Sequence, residues 1–170
     1  MVEKQSSAEG SEIRAKGVLK KKGVIIADKS GVDALSQRGY GTTENDIFTL
    51  SFYEALYLQE KNMLEVKDNE GNVADFQRLL RCYEAVHENA WVKYLVYRDL
   101  RSRGYVIREG FGTRIDFRIY ERGAYGKDTA QYLVLSMQEG KPLPISLRRT
   151  TYSLFRFTKR STCRRKTCSK

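Results

Sequence analysis

The sequence predicts an α+β fold in which a small N-terminal αβ lobe is followed by a C-terminal αβ lobe. Three observations carry this reading. In the first lobe, short β-branched runs such as Gly23–Asp28 (GVIIAD) flank one strongly apolar helical segment near residue 55. A long helical pattern then runs from Val73 to Arg103. Beyond Gly104 the apolar residues fall in short extended segments. A chain of 170 residues makes one domain, or two small lobes sharing a core. With 41% hydrophobic and 31% charged residues it can bury a real core, which excludes wholesale disorder. No apolar run approaches the ~20 residues of a membrane span. The N-terminus (MVEKQSSAEGSE) has no apolar stretch of the secretory kind.

Residues 1–11 are polar and small and are expected to be disordered, with the first lobe over 12–72 and the second over 73–170. Ile13–Lys20 and Gly23–Asp28 read as strands joined by a turn at Lys20–Gly23. Ser30 is positioned to cap a short helix over Val32–Gln37 that ends at Gly39. Tyr40–Asp46 reads as a polar loop and Ile47–Leu50 as a strand. Ser51 and Glu54 form a capping box that opens a helix over Phe52–Lys61, with Phe52, Ala55, Leu56 and Leu58 toward one face. Leu64–Lys67 is a short strand and Asp68–Asn72 a turn. In the long helical stretch, Phe76, Leu79, Leu80, Tyr83 and Val86 keep helical spacing, as do Val92, Leu95, Val96 and Leu100. The pattern breaks around His87–Ala90, which predicts two helices or a bend. Gly104 supplies the stop. Strands are expected over Tyr105–Arg108, Arg114–Tyr120 and Tyr132–Met137, then a break at Lys141–Pro144 and a basic amphipathic helix over Ile145–Lys159.

The formal net charge of +10 is unevenly spread. Residues 1–139 hold 21 basic and 21 acidic residues, whereas the last 31 hold ten basic and no acidic ones. A segment of one sign attracts a polyanion by releasing its counterions, and nucleic acid is the commonest such partner. The bland alternative is a solvated basic tail. Three cysteines (Cys82, Cys163, Cys168), an odd number without a secretory segment, point to a reducing, cytoplasmic compartment. Cys82 falls in the helical apolar pattern and reads as core, and Cys163 with Cys168 would need two more ligands to hold zinc. The single histidine, His87, must carry any imidazole chemistry, although a helix-end histidine is most often structural.

Gly110-Phe111-Gly112 precedes a strand rather than a helix, so it fails as a dinucleotide loop and reads as a corner between strands. Tyrosine is abundant, with eleven residues. Tyr120 and Tyr125 flank the basic, glycine-containing segment ERGAYGKD, where an aromatic ring can stack on an unpaired base; ordinary strand packing is the alternative for both and the preferred reading of Tyr132.

Residues 93–110 read KYLVYRDLRSRGYVIREG; Asp116–Tyr120 (DFRIY) and Tyr132–Val134 (YLV) follow. Together these runs resemble the archaeal tRNA-splicing (tRNA-intron) endonuclease family. The resemblance is closest over residues 90–137. It implies that the C-terminal lobe is nuclease-like, with a central mixed sheet. It also implies metal-independent cleavage of precursor tRNA, without cofactor, by attack of a 2′-hydroxyl on the adjacent phosphate, leaving a 2′,3′-cyclic phosphate. In that scheme a tyrosine is the base, a histidine the acid, and a lysine steadies the charge on the phosphorane.

Tyr120 matches the family tyrosine. Thr129 stands where the family histidine precedes the YLV strand, and no histidine follows His87. A threonine hydroxyl cannot donate a proton at neutral pH. Lys166 is the nearest candidate for the lysine and Lys159 the second. The resemblance therefore implies a structural, non-catalytic subunit of the kind found in crenarchaeal α2β2 enzymes. Its partners would be a catalytic subunit and precursor tRNA, with Arg148, Arg149, Arg156, Arg164 and Arg165 on the RNA backbone. Subunits of that architecture dock an acidic loop in a basic pocket. Asp68, Glu70 and Glu109 are acidic, and the loop containing Glu139 is a candidate. Two other readings stay open: an active endoribonuclease in which His87 or another group supplies the acid, and a stand-alone RNA-binding module.

Overall fold

β1 (Ala15–Lys20) and β2 (Gly23–Ile26) form an antiparallel hairpin that seeds a five-stranded sheet of order β3-β4-β2-β1-β5. The computed structural model describes residues 14–111, 115–121, 123, 125–126 and 129–137, and the backbones of two later strands, 153–156 and 164–167. The expected tail over 1–11 lies outside them. α1 (Lys29–Gln37) is capped by Asp28, whose carboxylate accepts from the Gly31 N–H at 2.7 Å. Ser30, expected in that role, lies inside the helix and donates its hydroxyl to Asp28 instead. Asp28 has the extended backbone that a capping residue needs.

The expected loop over Tyr40–Asp46 contains β3 (Thr42–Glu44), paired antiparallel with β4 (Ile47–Leu50). Asn45 and Asp46 connect them, both with positive φ (49° and 61°). That is the two-residue turn whose twist matches a hairpin. The capping box opens α2 (Phe52–Glu60) as predicted, with Glu54 accepting from the Ser51 N–H at 2.9 Å. The helix departs from its one-faced reading, because Phe52 through Leu58 are all buried. α2 packs against β2 and β5 and against α3 (Phe76–Glu84) and α4 (Ala90–Ser102), so apolar neighbours surround it. β5 (Leu64–Lys67) adds parallel to β1 and makes the sheet mixed.

The long helical pattern divides at the predicted place, with residues 85–89 between α3 and α4. Gly104 follows α4 at φ 89°. β6 (Val106–Glu109), β7 (Phe117–Tyr120) and β8 (Tyr132–Val134) make an antiparallel sheet. A further sheet joins β9 (Ser136–Met137), β10 (Ser153–Arg156) and β11 (Arg164–Thr167), with β10 parallel to β9 and antiparallel to β11. The helix expected over Ile145–Lys159 is thus overturned at Ser153–Arg156, which is strand. The run TTYSLFRFT is dense in Thr, Tyr and Phe, residues that favour a pleated surface, and β9 offers an edge to pair with. The rest of that segment and the break at Lys141–Pro144 lie outside the described residues. Helices and mixed sheets together make the α+β architecture predicted.

One core joins the first sheet to the second. Tyr53 of α2 meets Tyr97 of α4 at 4.8 Å and Phe117 of β7 edge-on at 5.1 Å, and Phe52 stacks on Tyr83 of α3 at 5.5 Å. Burial pushes the Tyr53 and Tyr97 phenols well above their ordinary 10.0. Much of the tyrosine content is therefore core. Cys82 is half-buried against that core.

Candidate nucleic-acid interface

Tyr120 is the last residue of β7, and the register sets it opposite Val106 at the start of β6. Its side chain is buried, and its ring meets that of Tyr125 edge-on at 5.3 Å. Residues 129–131 return alongside β7, tied by the Gln131 N–H to the Ile119 carbonyl at 3.0 Å, so Thr129 is held near the same end of the sheet and is exposed. Tyr125 has the Arg108 guanidinium 4.5 Å from its ring centre.

Arg108 points inward from β6 and is buried. It donates to the Gly41 carbonyl and lies 3.9 Å from the Glu54 carboxylate. Glu54, also buried, accepts from the Gly41 N–H at 3.1 Å. Burial raises its pKa above the ordinary 4.5, and the Ser51 and Gly41 N–H groups, Arg108 and Arg101 oppose that shift. Gly41 itself has φ 64°, and a Cβ there would sit 2.3 Å from the Phe48 ring, so only glycine fits. Arg101 holds the same turn from the other side. It donates to the Arg38 and Tyr105 carbonyls and lies 4.0 Å over the Tyr40 ring. The Arg108 Nε is buried without a hydrogen-bond partner among the described residues.

His87 lies elsewhere. Its ring packs edge-on against Tyr83 at 5.2 Å, and its charged neighbours are Lys93, Glu109 and Asp116. Glu109 pairs with Phe117 at the start of β7, whereas Tyr120 is at its end, about 10 Å away along the strand. Desolvation first, then Lys93, lowers the pKa of His87. Asp116 accepts an ion pair from Lys93 at 2.7 Å.

Lys166 lies on β11, opposite Leu154 in the ladder. Arg156 stands opposite Arg164, and Arg165 opposite Phe155. Arg148, Arg149, Lys159 and the loop of Glu139 lie outside the described residues. The geometry therefore places Tyr120 and Thr129 toward one end of the sheet and His87 toward the other. Sequence reasoning missed Arg108 and Arg101, and read Glu54 only as a capping-box partner of Ser51. The available signal was the one carboxylate in the apolar run FYEALYL and an arginine inside the strand YVIRE. Among the described residues no group of His, Cys, Asp and Glu is arranged to hold a metal ion, and no helix is long and apolar enough to cross a membrane.

Known proteins carry the same arrangement of sequence. Residues 15–80 match the model of the tRNA intron endonuclease N-terminal domain, and residues 90–166 that of the tRNA intron endonuclease catalytic C-terminal domain. The tRNA-splicing endonuclease of Methanococcus vannielii is 35% identical over 123 residues, covering 72% of this chain and 70% of the relative. That of Hyperthermus butylicus is 36% identical over 135 residues, covering 71% and 74%. That of Pyrococcus furiosus is 35% identical over 111 residues, covering 65% of each. Two matched domains in order, reaching all three sheets described above, place this chain in the tRNA intron endonuclease family.

Proposed function

We propose that this chain is the structural, non-catalytic subunit of a tRNA-splicing endonuclease, and that it holds a catalytic subunit in its active arrangement while adding basic surface to precursor tRNA. What supports this reading is that, in the family resemblance, Thr129 stands where a histidine would precede the YLV strand, while the sole imidazole of the chain, His87, lies toward the other end of β7. Departure of a 5′-oxygen near neutral pH needs a proton donor, which a threonine does not provide. Tyr120 is buried at the end of β7, its ring edge-on to that of Tyr125. The basic excess of the last 31 residues suits contact with RNA phosphates, which positions a substrate without reading its sequence.

The test mixes this chain with a catalytic subunit. Mass is read by light scattering, and cleavage of a bulge–helix–bulge RNA is assayed for each protein alone and for the mixture. Cleavage only by the mixture, at a mass near two copies of each chain, is the expected outcome. Cleavage by this chain alone at a normal rate would sink the reading.

A further inference from the structure

We propose that Tyr125, backed by the buried Arg108, is a stacking platform for one unpaired base of precursor tRNA. The inference rests on the reading of this chain as a subunit that contacts RNA, and adds a recognition site to it. Among the described residues Tyr125 is the tyrosine left exposed, at 41%, while Tyr40, Tyr53, Tyr57, Tyr83, Tyr94, Tyr97 and Tyr120 are all buried. Core packing therefore accounts for the others and not for this one.

Its surroundings are built for one purpose. Gly123 and Gly126, at φ 86° and 82°, bracket the ring in a tight turn. Tyr120 meets the ring edge-on and limits its rotation. Arg108 lies 4.5 Å from the ring centre, is more than nine-tenths buried, and is itself fixed by the Gly41 carbonyl and Glu54. A desolvated cation against an aromatic face is a strong contact. It also draws π density toward itself, so the ring becomes a better partner for an electron-rich purine. A nucleobase offers both a π-face and acceptor atoms, and an unpaired base is free to be splayed onto a protein ring.

The experiment uses the full chain and two labelled RNAs, one with bulges carrying 2-aminopurine at a bulged position and one fully paired. Stacking on Tyr125 quenches 2-aminopurine when the wild-type chain binds. Tyr125→Ala is expected to weaken binding of the bulged RNA about 5- to 150-fold and abolish the quench. Its affinity for paired RNA and its salt slope stay as in wild type, because no phosphate contact is lost. Tyr125→Phe keeps both affinity and quench. Equal loss on both RNAs, no loss on either, or a defect in joining the catalytic subunit with RNA binding intact overturns the platform. These results are independent of cleavage, so a chain that cuts RNA by itself sinks the structural-subunit reading and leaves the platform standing. A wild-type chain that binds no RNA, alone or with its partner, overturns the platform and the RNA-contact part of that reading.

Discussion

Glu54 is one place where pH acts on this protein. Its folded pKa lies above the ordinary 4.5, because burial outweighs the two N–H bonds and the nearby guanidinium groups. A raised carboxyl favours the folded state when protonated. Its contribution is complete below about pH 4.5 and is lost as pH rises through the folded value. Unfolding free energy measured in urea should therefore fall as pH rises above about 4.5, and Glu54→Gln should remove that contribution to the profile. Removing the cation instead is more damaging. Arg108→Met leaves a buried carboxylate and the Gly41 carbonyl without their partner, and is expected to cost about 3–5 kcal/mol at pH 7. The double variant should recover part of that loss, which a double-mutant cycle in the same urea assay reads directly. At this scale the sequence was only half legible. The strand ending at Tyr120 and the strand beginning at Tyr132 could be read from the runs DFRIY and YLV. The triangle of Glu54, Arg108 and Gly41 could not, because its members are 13 and 67 residues apart and nothing local requires them to meet.

Among the elements, the β3–β4 hairpin offers the cleanest test. Asn45 and Asp46 both hold left-handed backbone, which Asn and Asp tolerate and β-branched residues do not. Asp46→Val should cost about 1–2 kcal/mol in thermal or urea unfolding, whereas Asp46→Gly should be neutral or slightly stabilising. The hairpin was hidden in the sequence because Thr42–Glu44 is polar and fully exposed, and therefore lacks the alternation that betrays a half-buried strand. Helix ends were more readable. The capping box of α2, the stop at Gly104 and the interruption near His87 are each set by local chemistry, and each is present. The strand at Ser153–Arg156 was misread because short apolar runs with basic residues fit either period, and its pairing partners are distant in sequence.

For the whole molecule, charge distribution makes a quantitative prediction. If Arg148, Arg149, Arg164 and Arg165 each meet a phosphate, replacing all four by glutamine should lower the slope of log affinity against log salt by roughly one per residue. Anisotropy titrations at several salt concentrations give that slope, and an unchanged value places the RNA elsewhere. The tie between Arg108 and the Gly41 turn also has a consequence for how the chain is made. Synthesis runs from the N-terminus, so Glu54 leaves the ribosome well before the arginine that neutralises it. Until α4 and β6 emerge, α2 holds an acid without its guanidinium partners and lacks the cover of α4. The nascent first lobe is thus an interim state, exposed to chaperones and proteases, and the second lobe acts as the clasp that closes it.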